Sequence, residues 1–75
     1  MSYTLYIYNV HYKHLTLKDL VNIAAEHWAY FGDTSYEIVS ELTGEVITHF
    51  KVKGQLLTLA QLVELAPYIG SEALR

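Results

Sequence analysis

Ten residues recur almost unchanged in this chain. LTLKDLVNIA runs from Leu15 to Ala24 and LTLAQLVELA from Leu57 to Ala66, and six of the ten positions are identical. A strand-like stretch precedes each copy, TLYIYNV before the first and EVITHFKV before the second. The repeated unit is therefore a strand followed by a helix, since apolar residues recur at three- and four-residue intervals after each Leu-Thr-Leu. Thr16 supplies a side-chain oxygen as N-cap, with Asp19 placed as its capping-box partner. Leu17, Leu20, Val21, Ala24, Trp28 and Phe31 form the apolar face of the first helix, and Gly32 provides its stop. Thr58 caps the second helix, whose Leu59, Leu62, Val63 and Ala66 repeat the stripe. Pro67 limits the extension of that helix, because proline lacks a backbone donor and crowds the preceding turn.

The remaining segments read as strands. Tyr3 to Val10 is rich in Tyr, Thr, Leu and Ile, which suit a pleated surface. Ser35–Glu41 and Glu45–Lys53 form a hairpin around Leu42-Thr43-Gly44, with Gly44 in the left-handed region. That loop predicts the pairs Glu41–Glu45, Val39–Ile47, Glu37–His49 and Tyr36–Phe50. A two-residue loop mixes polar and apolar faces and is disfavoured. The order is then β-α-β-β-α in a single small α+β domain spanning residues 1–75, its pseudo-repeat covering about 4–27 and 46–69. Right-handed crossover places the first strand parallel to the third. The expected three-stranded mixed sheet has order 1-3-2, with two helices on one face. In architecture alone, this resembles a ferredoxin-like plait lacking its last strand.

Size makes the apolar content consequential. A 75-residue chain buries only about 60% of its unfolded surface, and small domains compensate with disulfides, metals or oligomerisation. The chain has no cysteine, yet 52% of its residues are hydrophobic and 17% charged. A surplus of that kind points to a protein partner or a homodimer. The formal charge of −3 and five Lys and Arg residues disfavour phosphate binding, which rests on cations. No apolar run is long enough to span a membrane. The N-terminus lacks the pattern of a signal peptide, so a cytoplasmic location is expected.

Two assignments of the sheet faces are open. Equating the repeats aligns Tyr6 with Thr48, Tyr8 with Phe50 and Val10 with Val52, which places these residues under the helices with Tyr36 and Ile38. The opposite face then carries Leu5, Ile7, Val39 and Ile47 as an apolar centre, bordered by Tyr3, Glu37, Glu41, His49 and Lys51. An apolar centre with a polar rim is how many interfaces are built. In the other register Leu5 and Ile7 are core, and Tyr6, Tyr8 and Tyr12 form an exposed aromatic stripe. The first strand, as a sheet edge, also offers unpaired backbone groups to another strand.

Other constellations are sparse. His11 and His14 form an H-x-x-H, but a structural metal site needs two further ligands and only His27 and His49 are obvious donors. Surface histidines are the commoner reading, and no metal or other cofactor is expected. Asp33, Glu37 and His49 are the candidates for a small oligomeric isomerase or tautomerase with a subunit-interface cleft. Glu37 opposite His49 is equally an ordinary cross-strand pair. Tyr6, Tyr8 and Phe50 on an open sheet would resemble a platform for single-stranded nucleic acid, with Lys13, Lys51 and Lys53 the nearby cations. Six acids between Asp19 and Glu45, with no Lys or Arg among them, steer the chain towards a basic partner.

These features favour a non-enzymatic protein-interaction module, dimeric and acting by contact. A phage- or mobile-element-encoded inhibitor that blocks a host defence protein sterically fits the short chain and acidic middle. The expected contact residues are Tyr3, Leu5, Ile7, Val39, Ile47 and His49, with Glu37 and Glu41 as charged rim.

Overall fold

The computed structural model describes residues 2–32, 34–69 and 74. The elements run β1 (Tyr3–Ile7), β2 (Val10–Leu15), α1 (Leu17–Phe31), β3 (Tyr36–Ser40), β4 (Val46–Ile47), β5 (Phe50–Val52), β6 (Gln55–Leu57) and α2 (Leu59–Ile69). The α+β class holds, but the sheet differs from the expected one. A four-stranded sheet has order β2-β1-β3-β4, and β5 and β6 form a separate two-stranded hairpin. Every pairing is antiparallel, so the parallel crossover and the plait-like order 1-3-2 are not realised.

Two tight turns account for two of the three extra strands, and a break at Thr48-His49 divides β4 from β5. The segment expected as one strand folds back at Tyr8-Asn9, pairing Ile7 with Val10. The second hairpin turns at Lys53-Gly54, where φ is 51° and 80°. Positive φ at both central residues is the signature of a type I′ turn, whose twist matches that of the flanking strands. Each Leu-Thr-Leu therefore begins on the last residue of a hairpin's second strand rather than after a lone strand.

Both helices start on a reciprocal cap. Thr16 Oγ1 accepts from the Asp19 N–H at 3.1 Å, and Asp19 Oδ2 accepts from the Thr16 N–H at 3.0 Å. Thr58 and Gln61 repeat the arrangement at 3.2 and 2.9 Å. Each pair satisfies two amides that the helix itself leaves without partners, a contribution of about 1 kcal/mol per cap. The helix α1 ends at Gly32, whose N–H donates to the Trp28 carbonyl at 2.9 Å. Pro67 lies within α2, which continues two residues past it to Ile69.

The core settles the choice of faces. Leu5, Ile7 and Ile38 pack with Leu20, Val21 and Ala24 of α1, Leu59 and Leu62 of α2, and Phe50 and Val52 of β5. Equivalence of the repeats thus holds for Phe50 and Val52 but fails for Tyr6, Tyr8 and Val10, which are exposed. The reason is hairpin length, since the first hairpin has a six-residue return strand and the second a three-residue one. Leu5 and Ile7 take the core positions instead.

The predicted register of the β3–β4 hairpin is displaced by one residue. Ile38 pairs with Ile47 and Val39 with Val46, around a loop of Glu41 to Gly44 closed by Ser40 N–H to Glu45 O at 2.9 Å. Because strand side chains alternate, this slip turns Ile47 to the core side and Val46 outward. The longer loop carries the slip, with Gly44 N–H also donating to the Ser40 carbonyl at 2.7 Å. Glu41, the first residue of that loop, extends the β1–β3 ladder through its N–H to the Ser2 carbonyl at 3.0 Å, and its carboxylate reaches across β1 to β2.

There the carboxylate holds a β-bulge. Tyr3 pairs with Leu15 but Leu5 pairs with Tyr12, so β2 carries one extra residue, and His14 sits at φ 61°. Glu41 Oε2 accepts from the His14 N–H at 2.8 Å and from Thr4 Oγ1 at 2.9 Å, while Glu41 Oε1 lies 3.0 Å from His14 Nδ1. The His14 backbone N–H and then the Thr4 hydroxyl hold the Glu41 carboxyl below its ordinary pKa, and the His14 ring adds to this. A carboxylate whose folded pKa is depressed stabilises the fold above its unfolded pKa, and that contribution fades as pH falls through the folded value. Glu41→Gln is therefore expected to lower the urea midpoint at pH 7. The gap from wild type should close as the pH drops below the ordinary carboxylate range; a gap constant with pH would sink this account.

Candidate interaction surface

The exposed apolar side chains gather most densely where the β1–β2 turn meets the C-terminal end of α1. Tyr8, Tyr30 and Phe31 are 62%, 79% and 62% exposed, and Val10 lies beside them. Their rings form one connected cluster. Tyr8 lies 5.6 Å from Phe31 in an edge-on arrangement, His27 sits 5.3 Å from Tyr8 and 4.9 Å from Phe31, and Tyr30 is 6.5 Å from Phe31. Two adjoining cavities open here. One of about 380 Å³ is lined by Tyr8, Asn9, Val10, Tyr12, His27 and Phe31. The other, of about 280 Å³, adds Ile23, Glu26 and Tyr30 and shares Tyr12, His27 and Phe31. Together they form a trough between β2 and the outer flank of α1.

The helix stripe explains the placement. Leu20, Val21 and Ala24 are buried, Leu17 and Trp28 partly so. Phe31, expected on the same face, lies outside the core and is mostly exposed. Trp28 takes the inward position in this last turn and packs 5.5 Å from Tyr36.

Tyr8 marks the cluster more sharply than its exposure does. Of the two turn residues only Tyr8 has positive φ, at 57°, a conformation that costs an L-residue about 1–2 kcal/mol and that Gly or Asn adopts more readily. A bulky ring placed in a strained turn, and left mostly in solvent, is an outlier of the sort that collects at functional sites.

The expected contact residues are dispersed. Leu5 and Ile7 are fully buried, which removes them from any surface of the folded chain. Tyr3 packs edge-on against Phe50 at 5.4 Å. Val39 is on the outer face opposite Thr4, and Glu37 is opposite Tyr6, whereas Ile47 is on the core side. Glu41 is committed to the bulge and Asp19 to the helix cap, which leaves fewer of the central acids for steering a partner. Tyr3, Ile47 and His49 do come together on a cavity of about 460 Å³, with Thr16, Leu17, Phe50 and Lys51. Its floor is apolar.

The rival chemistries meet specific geometry. Glu37 and His49 are not cross-strand partners, since β4 ends at Ile47; they line a shared cavity of about 330 Å³ with Thr48 and Thr58. His49 Nδ1 is 3.0 Å from Thr48 Oγ1, and no hydrogen bond joins the ring to Glu37. Asp33 lies outside the described residues. His11 packs on Tyr6 at 4.6 Å and His14 on Glu41, so the H-x-x-H pair is engaged elsewhere. Among the described residues no group of three or more His, Asp or Glu is placed to hold a metal ion. The expected stacking platform is broken, because Phe50 is buried while Tyr6 and Tyr8 are exposed. No helix among the described residues is long and apolar enough to cross a membrane.

Comparison of the chain with protein-family models, with curated proteins and with solved structures finds no match.

Substitutions separate surface from core. Ile7→Asp removes about 1.5–3 kcal/mol of apolar burial and adds the several-kcal/mol cost of a buried charge. A chain of this size has about 4–11 kcal/mol of stability in total, so Ile7→Asp is expected to lose its cooperative melting transition. Phe31→Asp should retain one, at a cost of about 1–2 kcal/mol from lost ring contacts and an acid in the last helical turn. Tyr8→Asn relieves the strained turn at the expense of about 0.5–1.5 kcal/mol of ring contacts, so its urea midpoint should match or exceed that of wild type. A drop of more than about 1 kcal/mol would make Tyr8 a structural residue and remove the strongest mark on this surface.

Proposed function

We propose that this protein is a non-enzymatic interaction module that binds another protein through the Tyr8–Tyr30–Phe31 surface. The strained, solvent-exposed Tyr8 carries the reading. Selection for stability alone favours Asn or Gly at such a turn, whereas interfaces concentrate their binding energy in Tyr, Trp and Arg anchors. His27 and Tyr12 supply the partly buried base on which exposed rings can be pressed by a partner. The polar character of tyrosine also keeps such a surface tolerable in water when unoccupied.

Binding without chemistry acts by occlusion, and the proposed biological role is an inhibitor that sterically blocks a larger protein. A phage- or mobile-element-encoded antagonist of host defence is one setting for it. The enzyme reading keeps one observation in its favour, the cavity shared by Glu37 and His49. It has no hydrogen bond linking acid to base, and both groups are exposed at the surface.

Site-specific photo-crosslinking tests the proposal in the native host. A benzophenone side chain replacing Phe31 is expected to capture a discrete protein partner, and the same group replacing Leu42, exposed on the β3–β4 loop, is not. Capture should fall when Tyr8→Asn is added. Equal capture from both positions, or none from Phe31, would place the contact elsewhere.

A further inference from the structure

From the edge position of β2 and the trough beside it, we infer that the ligand is an extended peptide strand, acidic and aromatic in alternation, which adds to β2 and fills the trough. The inference rests on the interaction reading above and specifies its mode and the chemistry of the partner.

Backbone geometry supplies the first half. β2 is an outer strand of the four-stranded sheet, so half of its backbone groups face away from β1. In a two-residue hairpin the residues flanking the turn, Ile7 and Val10, form the hydrogen-bonded pair. Alternation then turns the N–H and C=O of His11 outward. The Glu41-held bulge at His14 occupies the far end of the strand. The open ladder therefore runs from Val10 to Lys13, room for a docked segment of about four residues with His11 as its central anchor.

Side-chain environment supplies the second half. Strand residues alternate between faces, and the two sides of an added strand would meet different surroundings. Val10 and Tyr12 pair with Ile7 and Leu5 on the core side, so alternate ligand residues on that side project over the trough between β2 and α1. The trough floor is Tyr12, Ile23, His27 and Phe31, and its two cavities of about 380 and 280 Å³ each have room for a large apolar side chain. On the outer side lie His11 and Lys13. Lys13 has no carboxylate partner among the described residues, because the ion-pair geometry on this strand is between His14 and Glu41. In a chain of net charge −3, Lys13 is the one cation of this strand, and an acidic ligand residue beside it would complement it. Main-chain bonds supply affinity in strand addition, and the pockets for alternate side chains supply specificity. Lys13 and the bulge also oppose self-pairing of two β2 edges, since inserted charges and bulges are the devices that blunt sheet edges.

The test uses a capped eight-residue peptide of alternating phenylalanine and glutamate, with three controls: the same peptide with lysine for glutamate, with leucine in scrambled order, and with alternate amides N-methylated. Fluorescence anisotropy with wild-type protein should show saturable binding of the first peptide alone. In amide-exchange spectra the His11 N–H should become protected on binding. Phe31→Ala and Lys13→Glu should each weaken binding by roughly tenfold, the change that about 1.4 kcal/mol produces. Lys13→Glu should also gain affinity for the lysine peptide.

Binding that survives N-methylation, or that leaves His11 exchange unchanged, overturns strand addition. Absence of binding to any of these peptides, with Phe31 crosslinks to a partner intact, overturns the peptide ligand while leaving the interaction surface standing. A concentration-dependent dimer in light scattering that Phe31→Asp dissociates would assign the trough to a second copy of this chain instead.

Discussion

Glu41 is the residue at which β3 stops being half of a hairpin and becomes the clamp of its neighbours. Its backbone N–H continues the ladder to Ser2, and its carboxylate crosses β1 to hold the His14 amide and the Thr4 hydroxyl. Three strands are thereby tied at one end of the sheet by a single side chain. Beyond Glu41 the four-residue loop sets β4 one residue away from its sequence-favoured register, so Ile47 enters the core side and Val46 faces solvent. On β2 the same clamp fixes where the ladder is interrupted, and so how much of the sheet edge stays open.

The arrangement shows how a short chain distributes a scarce core. Both helices lie on one side of the sheet, and the β5–β6 hairpin brings Phe50 and Val52 into the same cluster. One core face per sheet is enough for the inward residues of β1, β3 and β4. It is not enough for the aromatic residues at the turn end, which α1 outruns. Phe31 and Tyr30 fall beyond the last position where α1 meets the sheet, and the Tyr8 ring rises from the turn to join them. Part of the surplus hydrophobicity evident in composition gathers there, while Leu42, Leu56 and Tyr68 are exposed singly elsewhere; scattered residues need no explanation, and the ring cluster is the contiguous feature.

Local signals were legible and long-range ones were not. The reciprocal caps at Thr16 and Thr58, the span of α1, and its stop at Gly32 follow from residues within a few positions of one another. The turn at Tyr8-Asn9 was hidden because a tyrosine stands where Gly or Asn is the usual signal, and the uninterrupted run of strand-forming residues masked the fold-back. The Lys53-Gly54 turn is missed in the sequence although a Gly after a polar residue signals one, because the strand before it is only three residues long. Register was lost for a different reason. The β3–β4 hairpin closes on a four-residue loop, Ser40 N–H to Glu45 O, where Leu42-Thr43-Gly44 suggests a three-residue one, and one residue of loop length shifts every pair. The patch misassigned to Leu5 and Ile7 follows directly, since one wrong fold-back exchanges the two faces of a strand.

The internal repeat misled in an instructive way. Copies that are six-tenths identical impose the same helix, the same cap and the same inward stripe, because those properties are local to the copied residues. The strands before them are not copied, and their environments differ: one return strand is the edge of a four-stranded sheet and the other closes an isolated pair. The two units therefore share their packing half and differ in their strand half. In the first unit the strand half holds the bulge, the strained tyrosine turn and the open edge, all within Tyr8 to His14. In the second, the tight Lys53-Gly54 turn keeps the hairpin short and its two inward residues buried. The first unit thus differs from the second in its strand half alone: a longer return strand, a bulge and a strained turn beside a helix that both units share.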